Sequence, residues 1–368
     1  MLVLLQPLCF YVILKLNKKI LIWILNMVIL VSNIYFKTYS FSKNHMFSFS
    51  DIEHYMIMLM LSWINLRCLS FCIDNINRSF HLLNFLSYCL YLPSVCLGPY
   101  MPYNDFKRSH EQCRDNLINR LLKLLLNLIR FGFWIVFTEF CLHFFYVSAL
   151  SYQVQLVKKL SNSALYGYGY CMGQFFHLKY VVFYGLSTSM ARFENIEAPS
   201  TPKCIGRIHL YSDMWKYFDE GLYKFLLKYI YLPTLNNSVK WNKLFSSFLC
   251  FIFVYVWHGI EYHILIWISF NYFGICIEHL IKYLFSTRCM SIFSDRWRHH
   301  ILCTMYSPLL ALSAISNFYF FSNTEIGYIF IERVSTSNTA ANLILLFSLY
   351  CCCHVSIGVK KWEQGKHK

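Results

Sequence analysis

Residues 301–323 read ILCTMYSPLLALSAISNFYFFSN and carry no charged side chain. About 20 apolar residues in a helix cross the hydrocarbon of a bilayer, so this stretch predicts a membrane span. Working outward, residues 340–359 form a second such run. Residues 20–36 and 244–260 are shorter and equally free of charge. Residues 262–277 lie between Glu261 and Glu278, and residues 131–150 carry only Glu139. Weaker candidates are 1–14, 52–72, 80–97 and 175–187. The reading is an all-α polytopic membrane protein with about 9–11 transmembrane or re-entrant helices, because helices and closed barrels alone satisfy their backbone in lipid. Barrel-type alternation is absent.

Composition agrees. Of 368 residues, 57% are apolar and 14% charged, which excludes a disordered chain and an ordinary soluble enzyme. The net charge is +15. Its basic residues sit between apolar runs, at Lys18-Lys19, Lys158-Lys159, Arg296 to Arg298 and Lys360-Lys361. That is the pattern of loops facing anionic headgroups; the expected partners are membrane lipids, and no nucleic-acid module is present. Sixteen cysteines would suggest a disulfide scaffold in a short secreted chain. Here most lie inside apolar runs, as Cys89, Cys141, Cys250, Cys276 and Cys303 do, and behave as small hydrophobes. Paired CxxC motifs are missing, so a structural zinc site is not expected. Residues 1–14 lack a cationic start and a small-residue cleavage site, unlike a signal peptide.

Two polar stretches interrupt the apolar pattern, 99–119 and 191–243. The second is too long for a turn and mixes Trp215, Tyr217, Phe218, Tyr223 and Phe225 with charges, which predicts an interfacial or re-entrant segment. Gly167, Gly169 and Gly173 form no dinucleotide fingerprint and fit close helix packing. Asn77-Arg78-Ser79 and Asn236-Asn237-Ser238 match glycosylation acceptors, a permissive pattern.

Three residues could carry chemistry. His258 ends the apolar run 248–257 and precedes Gly259. An ionisable group at membrane depth is costly, and imidazole is a ready base near neutral pH. The bland reading is a histidine at a helix end, bonded to a carbonyl. Asp219 lies 39 residues earlier among aromatics. It either orients an imidazole or pairs with Lys216 on an exposed helix face. Cys204 follows Pro202-Lys203; cationic neighbours favour a thiolate, which can ligate iron or be acylated, yet it is one cysteine of sixteen.

The order and spacing of these pieces resemble the membrane-bound O-acyltransferase superfamily, and within it the Hedgehog acyltransferase branch. That branch carries a tryptophan–basic–tyrosine–phenylalanine–aspartate string, here Trp215-Lys216-Tyr217-Phe218-Asp219, before a tryptophan–histidine–glycine, here Trp257-His258-Gly259. Similar segments are 66–71, 92–99, 103–106, 175–192, 316–327 and 350–358. The resemblance implies a helical bundle around an internal tunnel open to both sides of the membrane. It implies His258 and Asp219 as catalytic residues, with Trp215, Lys216, Tyr217, Trp257 and Gly259 binding substrate. It implies Cys204 as an iron ligand of haem b. The reaction implied is transfer of palmitate from palmitoyl-CoA to the N-terminal cysteine amine of a Hedgehog- or EGF-type secreted ligand, in the endoplasmic reticulum or Golgi membrane. Arg192, Lys203, Arg207 and Lys216 are candidates for the CoA phosphates.

The same comparison divides the chain into N-terminal transmembrane helices (1–48), an acyltransferase core (49–361) and a polar tail (362–368). Family members carry further spans before the region matching residue 49, so a chain shortened at its N-terminus is expected. Lys216 stands where an arginine is commoner, and Thr324 where vertebrate relatives have an asparagine. The alternatives are an acyltransferase for a lipid or hydroxyl acceptor, or a catalytically silent relative that regulates palmitoylation; relatives of the second kind typically lose the histidine.

Overall fold

The computed structural model describes residues 2–42, 50–111, 116–235, 242–286 and 293–366. Among them all regular structure is helical. In chain order the elements are α1 (Leu2–Leu14), α2 (Lys19–Ser42), α3 (Asp51–Asp74), α4 (Leu82–Cys89), α5 (Leu92–Val95), α6 (Tyr103–Glu111) and α7 (Leu117–Phe145). Short helices α8 (Val147–Leu150) and α9 (Val154–Lys158) lead to α10 (Asn162–Phe193). The polar stretch contributes α11 (Tyr211–Phe218), α12 (Glu220–Leu226), a π-turn and α13 (Leu232–Thr234). The chain continues as α14 (Asn242–His258), α15 (Tyr262–Ser286), α16 (Asp295–Phe321), α17 (Thr324–Thr336) and α18 (Thr339–Lys366).

Among the described residues six helices are long and apolar enough to cross a membrane: 19–38 of α2, then α3, α7, α15, α16 and 339–365 of α18. The chain is therefore a multi-pass membrane protein; Lys18-Lys19, Lys158-Lys159 and Arg296 to Arg298 fall at or beside helix ends, and Lys360-Lys361 lie in the later turns of α18. Residues 80–97 are not a span. They form α4 and α5, because the chain breaks at Leu90–Tyr91 and Pro93 opens the next turn. Arg67 of α3 pins this break: it is buried and donates to the carbonyls of Cys89 (3.2 Å) and Ser94 (2.6 Å) and to the Ser94 hydroxyl (2.8 Å). A guanidinium so buried persists only where its donors are satisfied. The run expected at 131–150 begins earlier, at Leu117, and stops at Phe145, where Tyr146 takes a left-handed conformation (φ 48°). Residues 175–187 sit inside the longer α10.

Helix starts follow local chemistry. Ser50 and Glu53 close a capping box on α3, Ser161 caps α10, and Asn323 caps α17 by accepting from the Ile326 amide (2.9 Å). α15 packs on α16, α16 on α18, and α10 on α7. At Gly169 a Cβ would lie 2.6 Å from the Phe318 ring, so the glycine lets α10 approach α16, the packing role its sequence pattern suggested. The main core runs from Phe10 through Phe71, Tyr88 and Phe225 to Cys353. A second cluster joins α8–α10 to the end of α16 and α17 around Phe318 and Phe330.

Among the described residues of the polar stretch no helix is long and apolar enough to cross a membrane; its helices fold against the bundle. Glu278 of α15, 2% exposed, accepts from the Ser212 amide (3.0 Å) and hydroxyl and pairs with Lys282, anchoring the start of α11. The glycosylation pattern at Asn236 lies outside the described residues. The Asn77 amide donates to the Asn17 side chain (3.1 Å).

Candidate active site

A cavity of about 460 Å³ opens where α2, α3, α10, α11, α12, α14, α15 and α16 converge. Small-molecule sites run from about 300 to 1,000 Å³, so it falls within their range. His258, Asp219, Trp215, Trp257 and Gly259 all line it. Residues far apart in sequence are thus brought to one internal space.

His258 is the last residue of α14. Gly259 then takes φ 114°, a region closed to most side chains, and Ile260 takes φ 55°. This turn ends the helix and leaves the imidazole facing the cavity. Aromatic rings wall it: Trp257 at 4.9 Å, Phe320 at 5.3 Å and Trp267 at 5.7 Å between centroids, each close to edge-on. No described group hydrogen-bonds the imidazole, so it is not tied to a carbonyl at the helix end.

The surrounding rings are held by their own polar atoms. The Trp257 indole N–H donates to the Ser62 carbonyl (3.1 Å). Trp267 donates to Asn317 (3.1 Å), and Trp215 to Asn271 (3.1 Å). Asn271 in turn donates to the Trp267 carbonyl (2.8 Å). Trp215 lies edge-on to Phe251, and Trp267 stacks on Phe320 at 4.3 Å. Each indole is therefore fixed in orientation, Trp267 buried and Trp215 and Trp257 half-buried, giving the histidine an apolar wall.

Asp219 has a different setting. It interrupts α11 and α12 (φ −128°, ψ 86°) and caps α12, its Oδ1 accepting from the Leu222 amide (2.8 Å). Its Oδ2 accepts from the Tyr184 hydroxyl (2.6 Å). Neither sequence reading had this arrangement: among the described contacts the carboxylate bonds neither His258 nor Lys216. It ties the polar stretch to α10 at the cavity wall. Beside it, burial raises the Glu220 carboxyl, but the Ser200 hydroxyl, Lys224 and the Ser200 amide outweigh burial and bring it down to about 2.

Lys216 and Tyr217 do not line the cavity. Lys216 is exposed, its Nζ 5.1 Å from the Tyr217 ring, and the Tyr217 carbonyl accepts from the Lys203 amide (3.0 Å). A helix turns 100° per residue, so Lys216 and Tyr217 turn away from the cavity that Met214, Trp215 and Phe218 face. Of the other cations, Arg192 is spent on Thr188 and on the carbonyls of Ala198 and Pro199, and Arg207 and Lys203 pair with Glu363.

The surroundings of Cys204 do not fit a haem. Its thiol lies 4.0 Å from the Gln174 side chain, and the adjacent Ile205, not Cys204, reaches the cavity. An iron porphyrin needs an open apolar slot over the thiol, and the described cavity does not extend to it. No chemistry is assigned to haem.

Sequence reasoning missed several lining residues. Lys37 of α2 reaches the cavity and pairs with Glu261, just after the Gly259 turn; an added Cβ at Gly259 would lie 3.4 Å from the Lys37 Nζ. The separation of 224 residues gives no local signal for this pair. Lys179, Tyr184, Asn271 and Asn317 also face the cavity. The polar residues of this set lay inside apolar runs, where hydropathy averages them away.

Comparison with known proteins agrees with this architecture. The family model described as MBOAT, membrane-bound O-acyltransferase family, matches residues 8–324. The chain is 32% identical to protein-cysteine N-palmitoyltransferase Rasp of Drosophila melanogaster, over 98% of this chain and 73% of that protein. It is 27% identical to protein-cysteine N-palmitoyltransferase HHAT of Mus musculus, over 76% of this chain and 57% of that protein. It is 24% identical to membrane-bound O-acyltransferase GUP1 of Candida tropicalis, over 61% of this chain and 38% of that protein. With its helical bundle, its polar stretch folded inward and a histidine turned into a tryptophan-walled cavity, the chain belongs to the membrane-bound O-acyltransferase family and is an acyltransferase.

Proposed function

We propose that the protein transfers palmitate from palmitoyl-CoA to the N-terminal cysteine amine of a Hedgehog- or EGF-type secreted ligand, in the endoplasmic reticulum membrane. The observation that carries this reading is His258: an imidazole without a protein hydrogen-bond partner among the described residues, in an apolar cavity lined by Trp215, Trp257 and Trp267. The similarity to two protein-cysteine N-palmitoyltransferases supports the choice of acceptor. The core we propose is 49–361, and Lys37 of the N-terminal stretch 1–48 also lines the cavity.

The chemistry follows from the groups present. An α-amine titrates near pH 8, so it reaches the site largely protonated and must lose a proton to attack. Once the ammonium has given one proton to water, the neutral amine nitrogen attacks the thioester carbonyl, the C–N bond forms, and His258 takes a second proton from that nitrogen. The C–S bond then breaks, and the proton passes from His258 to the departing CoA sulfur. Apolar walls favour the acyl chain, at about 0.8 kcal/mol per buried CH₂. Asp219 acts at one remove, fixing α12 and Tyr184. Lys216 is exposed on α11, and its proposed role is to meet CoA phosphate rather than the reacting atoms.

The test is transfer of labelled palmitate by the purified full-length gene product. A cysteine-led peptide is expected to be labelled, and its N-acetylated form not. Labelling of a lipid or of a serine hydroxyl in preference would move the protein to the other acceptor classes of the family.

A further inference from the structure

At the opposite end of α16 from the cavity lies a second cluster of donor atoms. His299 and Cys303 are four residues apart on one face of α16, and His354 reaches them from α18. One donor atom from each lies within 4.8 Å of the others. The Cys303 sulfur is 4.0 Å from the His299 Nε2, and the His299 and His354 rings are 4.6 Å apart, close to perpendicular. Cys303 is fully buried, and the Nε2 of His354 is buried with no hydrogen-bond partner. Such an orphaned nitrogen is costly unless something binds it. The neighbouring His300 is already engaged: its Nδ1 lies 2.6 Å from the Tyr350 hydroxyl, and Tyr350 packs against the His354 ring at 4.6 Å.

We propose that His299, Cys303 and His354 form a zinc site that clamps the first turns of α16 to α18. Zinc takes thiolate and imidazole donors at about 2.3 and 2.0–2.1 Å, which in a tetrahedron puts sulfur and nitrogen about 3.6 Å apart. The 4.0 Å seen between Cys303 and His299 closes to that value by a small side-chain rotation. Cys303 loses its proton on binding, and the thiolate charge offsets half of the metal's; the two imidazoles bind neutral. The donor set is too soft for magnesium or calcium, which take oxygen. Three protein ligands leave a fourth position for water. His299 and Phe320 are 21 residues apart on one helix, about 31 Å along its axis, so the clamp is separate from the acyl-transfer cavity. Sequence reading passed over it because it sought CxxC pairs, whereas these donors come from two helices.

The full-length protein, purified in detergent and stripped of metal, is titrated with Co²⁺ as a spectroscopic stand-in. One equivalent is expected to bind with a thiolate-to-metal charge-transfer band that Zn²⁺ abolishes by displacement. Cys303→Ser is expected to lose that band, and His354→Gln to weaken binding by about tenfold or more. Zn²⁺ should raise the melting temperature of the wild type and not of Cys303→Ser, a readout independent of acyl transfer. Absence of a stoichiometric band in the wild type overturns the proposal. So does an undiminished band in a Cys303→Ser protein that elutes as the wild type does, since the thiolate would then be another cysteine. Should Cys303→Ser not fold, the wild-type titration and the His354→Gln affinity decide alone.

Discussion

His258 and Asp219 line one cavity and are held in opposite ways. The carboxylate is bound at both oxygens, by a backbone amide and by a tyrosine hydroxyl. The imidazole has ring contacts and no hydrogen-bond partner among the described residues. A group that must exchange a proton with substrate needs free lone pairs and a fixed position; apolar rings supply the position without occupying the nitrogens. A group that shapes the site needs the reverse. The proposed function divides the pair into a reacting residue and a positioning residue, and three substitutions test that division.

The largest effect is expected at the histidine. His258→Ala should lower palmitate transfer by about 100-fold or more, the range of a lost general base, with the protein still eluting and melting as the wild type does. Retained activity would break the comparison. Next comes Asp219→Ala, which removes the α12 cap, about 1 kcal/mol, and strands a buried tyrosine hydroxyl, about 1–3 kcal/mol. Its melting temperature should fall together with its activity. Asp219→Asn sharpens the point: its one amide oxygen can still cap α12 while its NH₂ donates to the Tyr184 oxygen, so this variant should keep more of the stability and of the rate than Asp219→Ala. A loss of rate alone, at unchanged melting temperature, would make the aspartate charge catalytic.

Smaller effects are expected outside the cavity. Glu220 is held down to about 2 against an ordinary 4.5. A depressed carboxyl stabilises above its unfolded value, and that contribution fades as pH falls from 4.5 toward 2. Glu220→Gln should therefore lower the melting temperature at neutral pH, flatten the acid limb in that window, and converge on the wild type near pH 2. Lys216→Ala should raise the KM for palmitoyl-CoA only a few-fold, more so at low salt, with kcat unchanged, as an exposed cation meeting phosphate would.

How far the sequence could be read differs between α3 and α7. Both are long and apolar, with near-equal mean hydropathy, and both read as spans. Yet 61% of the apolar window of α3 is buried inside the protein, against 6% for α7. Lipid and protein interior are alike in polarity, so hydropathy finds the helix and not its surroundings. α3 does carry a sign of its position in Arg67, a cation affordable only beside protein carbonyls. Residues 80–97 show the opposite failure: their apolar run is fully consistent with a span, and only the break at Leu90–Tyr91, pinned by that same Arg67, makes them two short helices.

The site was legible in part for the same reason. His258, Gly259, Trp215 and Asp219 stand out as polar or turn-forming residues in apolar or aromatic company. Lys216 and Tyr217 share their motif but not their cavity, because helical rotation sends neighbours in sequence to different faces. Lys37, Tyr184 and Asn317 gave no signal, since what matters about them is a partner far along the chain.

The sequence by itself determined that this chain lives in a bilayer, that it does so as helices, and which imidazole is exceptional. Those are local properties: the free energy of an apolar run in lipid and the cost of a polar group within it depend on composition alone. The tertiary structure decided which helices wall the cavity, which carboxylate partners which hydroxyl, and that donors from α16 and α18 meet at the far end. Those depend on side-chain direction and on contacts between segments far apart in the chain, which no window of sequence contains.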